Sequence, residues 1–293
     1  MMTYLRDHDP QNTVILVQPE NETGSYGNPR DYSATGNRLF AQAVPAALAR
    51  QTGRSGTWAQ VYGAQADRAF NTWYVASYVN AIAAAGKAAK PLPMYVNASL
   101  SGPSNVPDPE GVASGGPQQD VLDIWKAAAP AIDFAAPDIY DRTSANVVAY
   151  LDKYARPDNA LMVPEIGNAR EFARFFYPAI GRGAIGFAPF GMDETGYFNY
   201  PLGAVALDEQ TLDAFALPYH AVGSIMRDWA RIAATRPTWG AAKPDDGSAV
   251  STTLGGWKIT ASWGEWQFGM KDWTWLKSVP APWGKEPVGG MAV

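Results

Sequence analysis

The sequence predicts an α/β fold of parallel strands covered by helices, arranged either as an open doubly wound sheet or as part of an eight-stranded barrel. Three observations predict it. Five short apolar runs recur between residues 13 and 188, helix-periodic stretches separate most of them, and the composition turns tryptophan-rich after residue 236.

The first run, Thr13-Val14-Ile15-Leu16-Val17, is apolar and β-branched and reads as a strand buried on both faces. Met94-Tyr95-Val96, Ile132 to Ala136, Leu161-Met162-Val163 and Ala184 to Ala188 read the same way. Between the first two runs, Ala66 to Ala85 places Phe70, Trp73, Tyr74 and Ile82 at helical spacing and closes on Gly86. Gln119 to Ala128, Ala145 to Ala155 and Ala169 to Ala179 repeat the pattern, and a longer helical stretch from about Leu212 to Arg236 is interrupted by Pro218. Seven of the eleven tryptophans stand at or after Trp239, which marks a change of domain. There Trp257, Ile259, Ala261 and Trp263 alternate with polar or small residues, as in a half-buried strand. The expected organisation is therefore a strand-and-helix domain over residues 1–236 and a small, truncated β-rich appendage over 237–293.

Composition narrows the chemistry. With 47% hydrophobic and 17% charged residues the chain has the makings of a folded core. No apolar run reaches the roughly 18 residues of a membrane span. The stretch from Met1 to Gln11 is polar rather than signal-like, so a soluble chain, cytoplasmic as written, is expected. A net charge of −5 offers phosphates no basic field, so neither nucleic acid nor a membrane is an expected partner, and the expected substrate is neutral. The absence of cysteine excludes thiolate nucleophiles and cysteine metal sites. Only two histidines are present, His8 in a polar segment that reads as a solvated loop and His220 in an amphipathic stretch that reads as packed or surface. Carboxylates must carry the chemistry, and no cofactor or metal is called for.

In either parallel architecture functional residues stand at the carboxyl ends of strands. Those ends are Gln18 to Glu22, Asn97, Asp138-Ile139-Tyr140, Pro164-Glu165 and Pro189-Phe190. Glu22 and Glu165 each follow an apolar run, on a rigid element with an apolar floor. Cleaving a glycosidic bond needs a proton for a poor leaving group and an anion at the developing oxocarbenium centre, which two carboxyl groups supply.

The stretch Gln18-Pro19-Glu20-Asn21-Glu22-Thr23-Gly24 resembles the acid/base signature of glycoside hydrolase family 35 β-galactosidases, in which Asn-Glu ends the fourth barrel strand. Pro91 to Ala98, Ala129 to Asp133, Ala136 to Tyr140, Val163-Pro164-Glu165 and Gly186 to Gly191 resemble successive blocks of bacterial members, in order over most of residues 5 to 230. The resemblance implies a (β/α)8-type barrel, present as strands four to eight, and a retaining hydrolase that releases terminal β-galactosyl residues from a β-galactoside or related oligosaccharide. Glu22 would be the acid/base and Glu165 the nucleophile. By the same analogy Asn21 binds the sugar 2-hydroxyl, Tyr140 orients Glu165, and Asn97 lines the rim. Glu20 either binds sugar hydroxyls or is a structural carboxylate bonded to neighbouring backbone. Pro19 departs from the family pattern, because it removes a backbone donor at the strand end.

Other signals are weaker. Gly181 to Gly186 spells a dinucleotide fingerprint but precedes a strand instead of following one. The glycosylation sequons at Asn21 and Asn97 fall at the expected barrel mouth, where a glycan would block the site. Only about a dozen residues precede the first run, so three barrel strands are expected to be missing. Exposed sheet edges, weak activity of the isolated chain, and self-association or need of a complementing segment would follow. The competing reading is a non-catalytic carbohydrate-binding or interaction protein that keeps the motifs.

Overall fold

The computed structural model describes residues 1–100, 102, 113–193, 195, 198–263 and 288–293. The chain is α/β, and its parallel sheet has four strands in chain order: β1 (Tyr95–Ser99), β2 (Phe134–Ile139), β3 (Val163–Ile166) and β4 (Phe187–Pro189). It divides into two compact units, Met1–Asp138 with Arg156–Ala160, and Ile139–Ala155 with Leu161–Val293.

The first unit opens with four short helices, α1 (Met2–His8), α2 (Ala34–Phe40), α3 (Ala46–Thr52) and α4 (Trp58–Tyr62), and a long one, α5 (Ala66–Ala89). Caps explain two of the short ones. Ser33 accepts the Gly36 N–H at the start of α2, and Thr57 with Gln60 forms a reciprocal capping box on α4. His8 ends α1, exposed and stacked on Tyr4, and is not in a loop. α5 does not close at Gly86 but continues to Ala89. A Cβ on Gly86 would lie 2.8 Å from Met94 Cε, the movable end of a flexible side chain, and the helix runs on past this glycine.

β1 and β2 pair in parallel with Tyr95 opposite Phe134 and Ser99 opposite Asp138. All six residues of β2 are buried, as a strand covered on both faces requires. α6 (Leu122–Ala128) connects them and buries Leu122, Ile124 and Trp125. The run at 13–17 departs from expectation. Only Val17 makes a sheet-like bridge, to Met94, and Ile15 is 73% exposed. The Asp9 carboxylate captures the backbone N–H groups of Thr13 (2.8 Å) and Val14 (3.0 Å), so a side chain takes donors that a ladder would use. Val17 still reaches the core, in a buried cluster with Ala83, Leu92 and Met94.

In the second unit β3 and β4 pair in parallel. α7 (Ser144–Tyr154) precedes β3, and the stretch after it divides into a 3-10 turn (Arg170–Phe175) and α8 (Phe176–Gly181). α9 (Glu209–Gly223) carries Pro218 inside it, buried, and the interruption falls later, before α10 (Met226–Thr235). His220 is an exposed residue of α9. The fingerprint-like Gly181 to Gly186 joins α8 to β4, ahead of a strand as its context indicates.

Four further strands follow, β5 (Trp239–Ala242), β6 (Val250–Leu254), β7 (Trp257–Ala261) and β8 (Gly289–Ala292), in two antiparallel pairs, β5 with β8 and β6 with β7. β7 and its continuation keep the expected alternation at Ile259, Ala261 and Trp263, which are partly buried while Lys258, Thr260 and Ser262 are exposed; Trp257, 78% exposed, departs from it. Trp266, Trp273, Trp275 and Trp283 lie outside the described residues. Among the described residues no helix is long and apolar enough to cross a membrane.

Candidate active site

The first unit gathers polar residues at the carboxyl ends of β1 and β2. Asn97 is the hub. Fully buried, it donates from Nδ2 to Asp138 Oδ2 (2.7 Å) and Asn21 Oδ1 (2.9 Å), while its Oδ1 accepts from Gln18 Nε2 (3.0 Å) and the Glu22 N–H (2.9 Å). Both amide hydrogens and both carbonyl lone pairs are thereby used. Gln18 Nε2 also reaches Asn21 Oδ1 at 2.8 Å, which closes the network.

Glu22 sits in this network with φ of 42°, in the left-handed region that non-glycine residues seldom occupy. The Asn97 carbonyl, bonded to the Glu22 N–H, fixes the turn that holds it there. Its half-buried carboxyl group makes no hydrogen bond or ion pair among the described residues. Glu20, also half-buried, makes no bond to neighbouring backbone among the described residues, so nothing there marks it as a structural carboxylate. Asn21 is exposed, with Oδ1 turned to Gln18 and Asn97 and Nδ2 left to donate outward.

The second unit holds Glu165. β3 is bulged at this residue: Val163 pairs with Phe187 and Ile166 with Pro189, so three steps on β3 span two on β4. Pro164 stands in the bulge, where its missing N–H breaks no ladder bond, and a bulge re-aims the side chain it carries. Val163 and Ile166 go to the core, while Pro164 and Glu165 are only half-buried. Tyr140, just after β2, donates its phenol to Glu165 Oε2 at 2.7 Å. The Tyr140 ring meets Phe190 edge-on (centroids 6.4 Å apart), and the Phe190 N–H donates to Ile166 O at 2.9 Å, so phenol and carboxylate share one support. Behind β4, burial pushes the Tyr219 phenol up to about 12, and it donates to Phe187 O.

Asn21, Glu22 and Asn97 thus meet in one unit and Tyr140 and Glu165 in the other. Asn97 serves as an internal support whose own polar atoms are occupied. Gln18 and Asp138, which the sequence places at strand ends without assigning them a role, belong to the same network. No family model matches the chain, and a search of curated proteins finds no match.

Proposed function

We propose that the chain is a retaining glycoside hydrolase acting on terminal β-galactosyl residues, built on part of a (β/α)8-type barrel. The observation that carries this reading is Glu165, a carboxylate on a bulged strand end with a tyrosine phenol donating to one oxygen. That bond fixes the orientation of the carboxylate, as a nucleophile requires. A second support is Glu22, held in a left-handed conformation by a buried asparagine, since strained backbone collects at working sites.

In the reaction, Glu165 attacks the anomeric carbon as the glycosidic C–O bond breaks, and Glu22 delivers a proton to the departing oxygen. A glycosyl ester on Glu165 results. Glu22, now ionised, takes a proton from water, whose oxygen attacks the same carbon and releases Glu165. Asn21 Nδ2 donates to the sugar 2-hydroxyl, and Tyr140 keeps Glu165 in line. The reading fits an acidic, cysteine-free chain with carboxylates for its chemistry.

The test is hydrolysis of nitrophenyl β-galactoside by the chain and its variants. Turnover that disappears in Glu165→Gln supports the assignment. Saturable galactose binding with no turnover would favour the non-catalytic carbohydrate-binding reading instead.

A further inference from the structure

The left-handed turn at Glu22 needs two anchors, because φ is the rotation about its N–Cα bond. The Glu22 N–H donates to Asn97 Oδ1 (2.9 Å), which fixes the peptide before that axis. Whatever holds the chain after it sets the angle, and a strained angle persists only where the surroundings over-determine it.

The second anchor lies at Ser25, in the same unit. Ser25 and Ser114 exchange both backbone N–H···O bonds, each 2.9 Å, as an isolated antiparallel bridge. Asn71 of α5, half-buried, pins that bridge: its Nδ2 donates to Ser114 O (2.8 Å) and to Ser25 Oγ (3.2 Å). Ser25 Oγ donates onward to Asn28 O (3.0 Å), and the fully buried Ser114 donates from Oγ to Pro29 O. The residues between the two anchors lie close on the same segment. A Cβ on Gly24 would stand 2.8 Å from Ala113 O, and one on Gly116 would stand 2.5 Å from Thr23 O, so both contacts require glycine. Gly24 also has φ of 137°, which a side chain would resist. Glu22 is therefore held between a buried amide at its own N–H and a second amide that fastens the chain at Ser25.

We propose that Asn71 is a positioning residue for Glu22: by pinning the Ser25–Ser114 bridge it holds the Glu22 backbone in its left-handed turn and so aims the acid. Without that pin, residues 23–25 swing and φ at Glu22 relaxes, which re-aims Cα–Cβ even while the Asn97 bond survives. The clamp follows from backbone geometry alone, whereas its consequence for proton transfer rests on the glycosidase reading.

The experiment compares the full native chain with Asn71→Ala by two readouts. The first is amide hydrogen exchange, which needs no turnover. Asn71→Ala should speed exchange at the Glu22 and Ser25 N–H groups about tenfold or more, while the amides of β2 keep their native protection and so report an intact fold. The second is kcat/KM on methyl β-galactoside, whose leaving group needs a proton, and on dinitrophenyl β-galactoside, whose leaving group does not. The variant should lose about tenfold or more on the first substrate and stay within about twofold on the second. On methyl galactoside, Asn71→Ala combined with Glu22→Gln should be no slower than Glu22→Gln alone, since the two act as one unit. Gly24→Ala, which drives a Cβ against Ala113 O, should reproduce both patterns. Unchanged exchange at Glu22 in both variants would overturn the clamp. Equal losses on the two galactosides, or an additive loss in the double variant, would overturn the positioning role. Failure of the glycosidase reading is separate: it registers as no turnover by the native chain, and exchange at Glu22 still decides the clamp.

Discussion

The phenol oxygen of Tyr140 lies 2.7 Å from Glu165 Oε2 and donates to it. If that bond aims the carboxylate, Tyr140→Phe should lower kcat/KM on nitrophenyl galactoside roughly ten- to hundredfold, the rate equivalent of about 1.4–2.7 kcal/mol. Stability should change little, because a half-exposed hydrogen bond contributes about 1 kcal/mol. Steady-state kinetics and a thermal melt separate the two. A variant with unimpaired kinetics would show that the phenol does not position Glu165.

Glu22 offers a different contrast, between strain and chemistry. Its φ of 42° costs a non-glycine residue about 1–2 kcal/mol, whereas glycine's extra freedom in the unfolded chain costs about 0.5–1 kcal/mol. Glu22→Gly should therefore be neutral to slightly stabilising in denaturant while hydrolysis of unactivated galactosides collapses. Glu22→Gln should spare substrates whose leaving group needs no proton. Equal losses on activated and unactivated substrates would count against Glu22 as the acid.

Asn97 is fully buried and makes four side-chain hydrogen bonds, so truncation strands several partners at once. Asn97→Ala should destabilise the protein by about 2–4 kcal/mol, with lost activity following from displacement of Glu22. Urea titration monitored by tryptophan fluorescence gives the value. A loss below about 1 kcal/mol would mean that the network is not a support.

Asp9 supplies the pH dependence. The Thr13 and Val14 N–H groups, with Lys90 beside them, lower its pKa to about 2 in the folded chain. The unfolded value is about 3.9. A depressed folded pKa gives stability that is complete above the unfolded value and lost as pH falls toward 2. Melting temperatures of the native chain and of Asp9→Asn should differ fully at neutral pH and converge between about pH 4 and pH 2. A gap that stays constant over that range would mean that Asp9 acts by shape rather than charge.

Much of this was legible in residue order. Four of the five apolar runs are strands or lead into them, because burial on both faces leaves an unbroken hydrophobic signature. The ends of those strands mark Asn97, Tyr140 and Glu165. The run at 13–17 misled because its apolar pattern says nothing of Asp9, which takes the N–H groups of Thr13 and Val14. α1 to α4 were illegible for another reason. They are only five to seven residues long, too short for a period to register, and two of them rest on side-chain caps. Gln18 and Asp138 were marked as strand ends, but their bonds to Asn97 were not legible, because a residue that bonds another side chain across the fold has no spacing rule. The bulge at Glu165 was hinted at only by Pro164, which a regular central strand does not tolerate.

The central claim is that Glu165 is the nucleophile of a retaining glycosidase. Incubating the chain with an activated 2-deoxy-2-fluoro-β-galactoside should slow hydrolysis of the glycosyl ester enough to trap it, and peptide mass spectrometry locates the label. The account predicts one fluorogalactosyl group per chain, on the peptide containing Glu165, and none in Glu165→Gln. Turnover of β-galactosides without such an adduct, or an adduct on a different carboxylate, would contradict it.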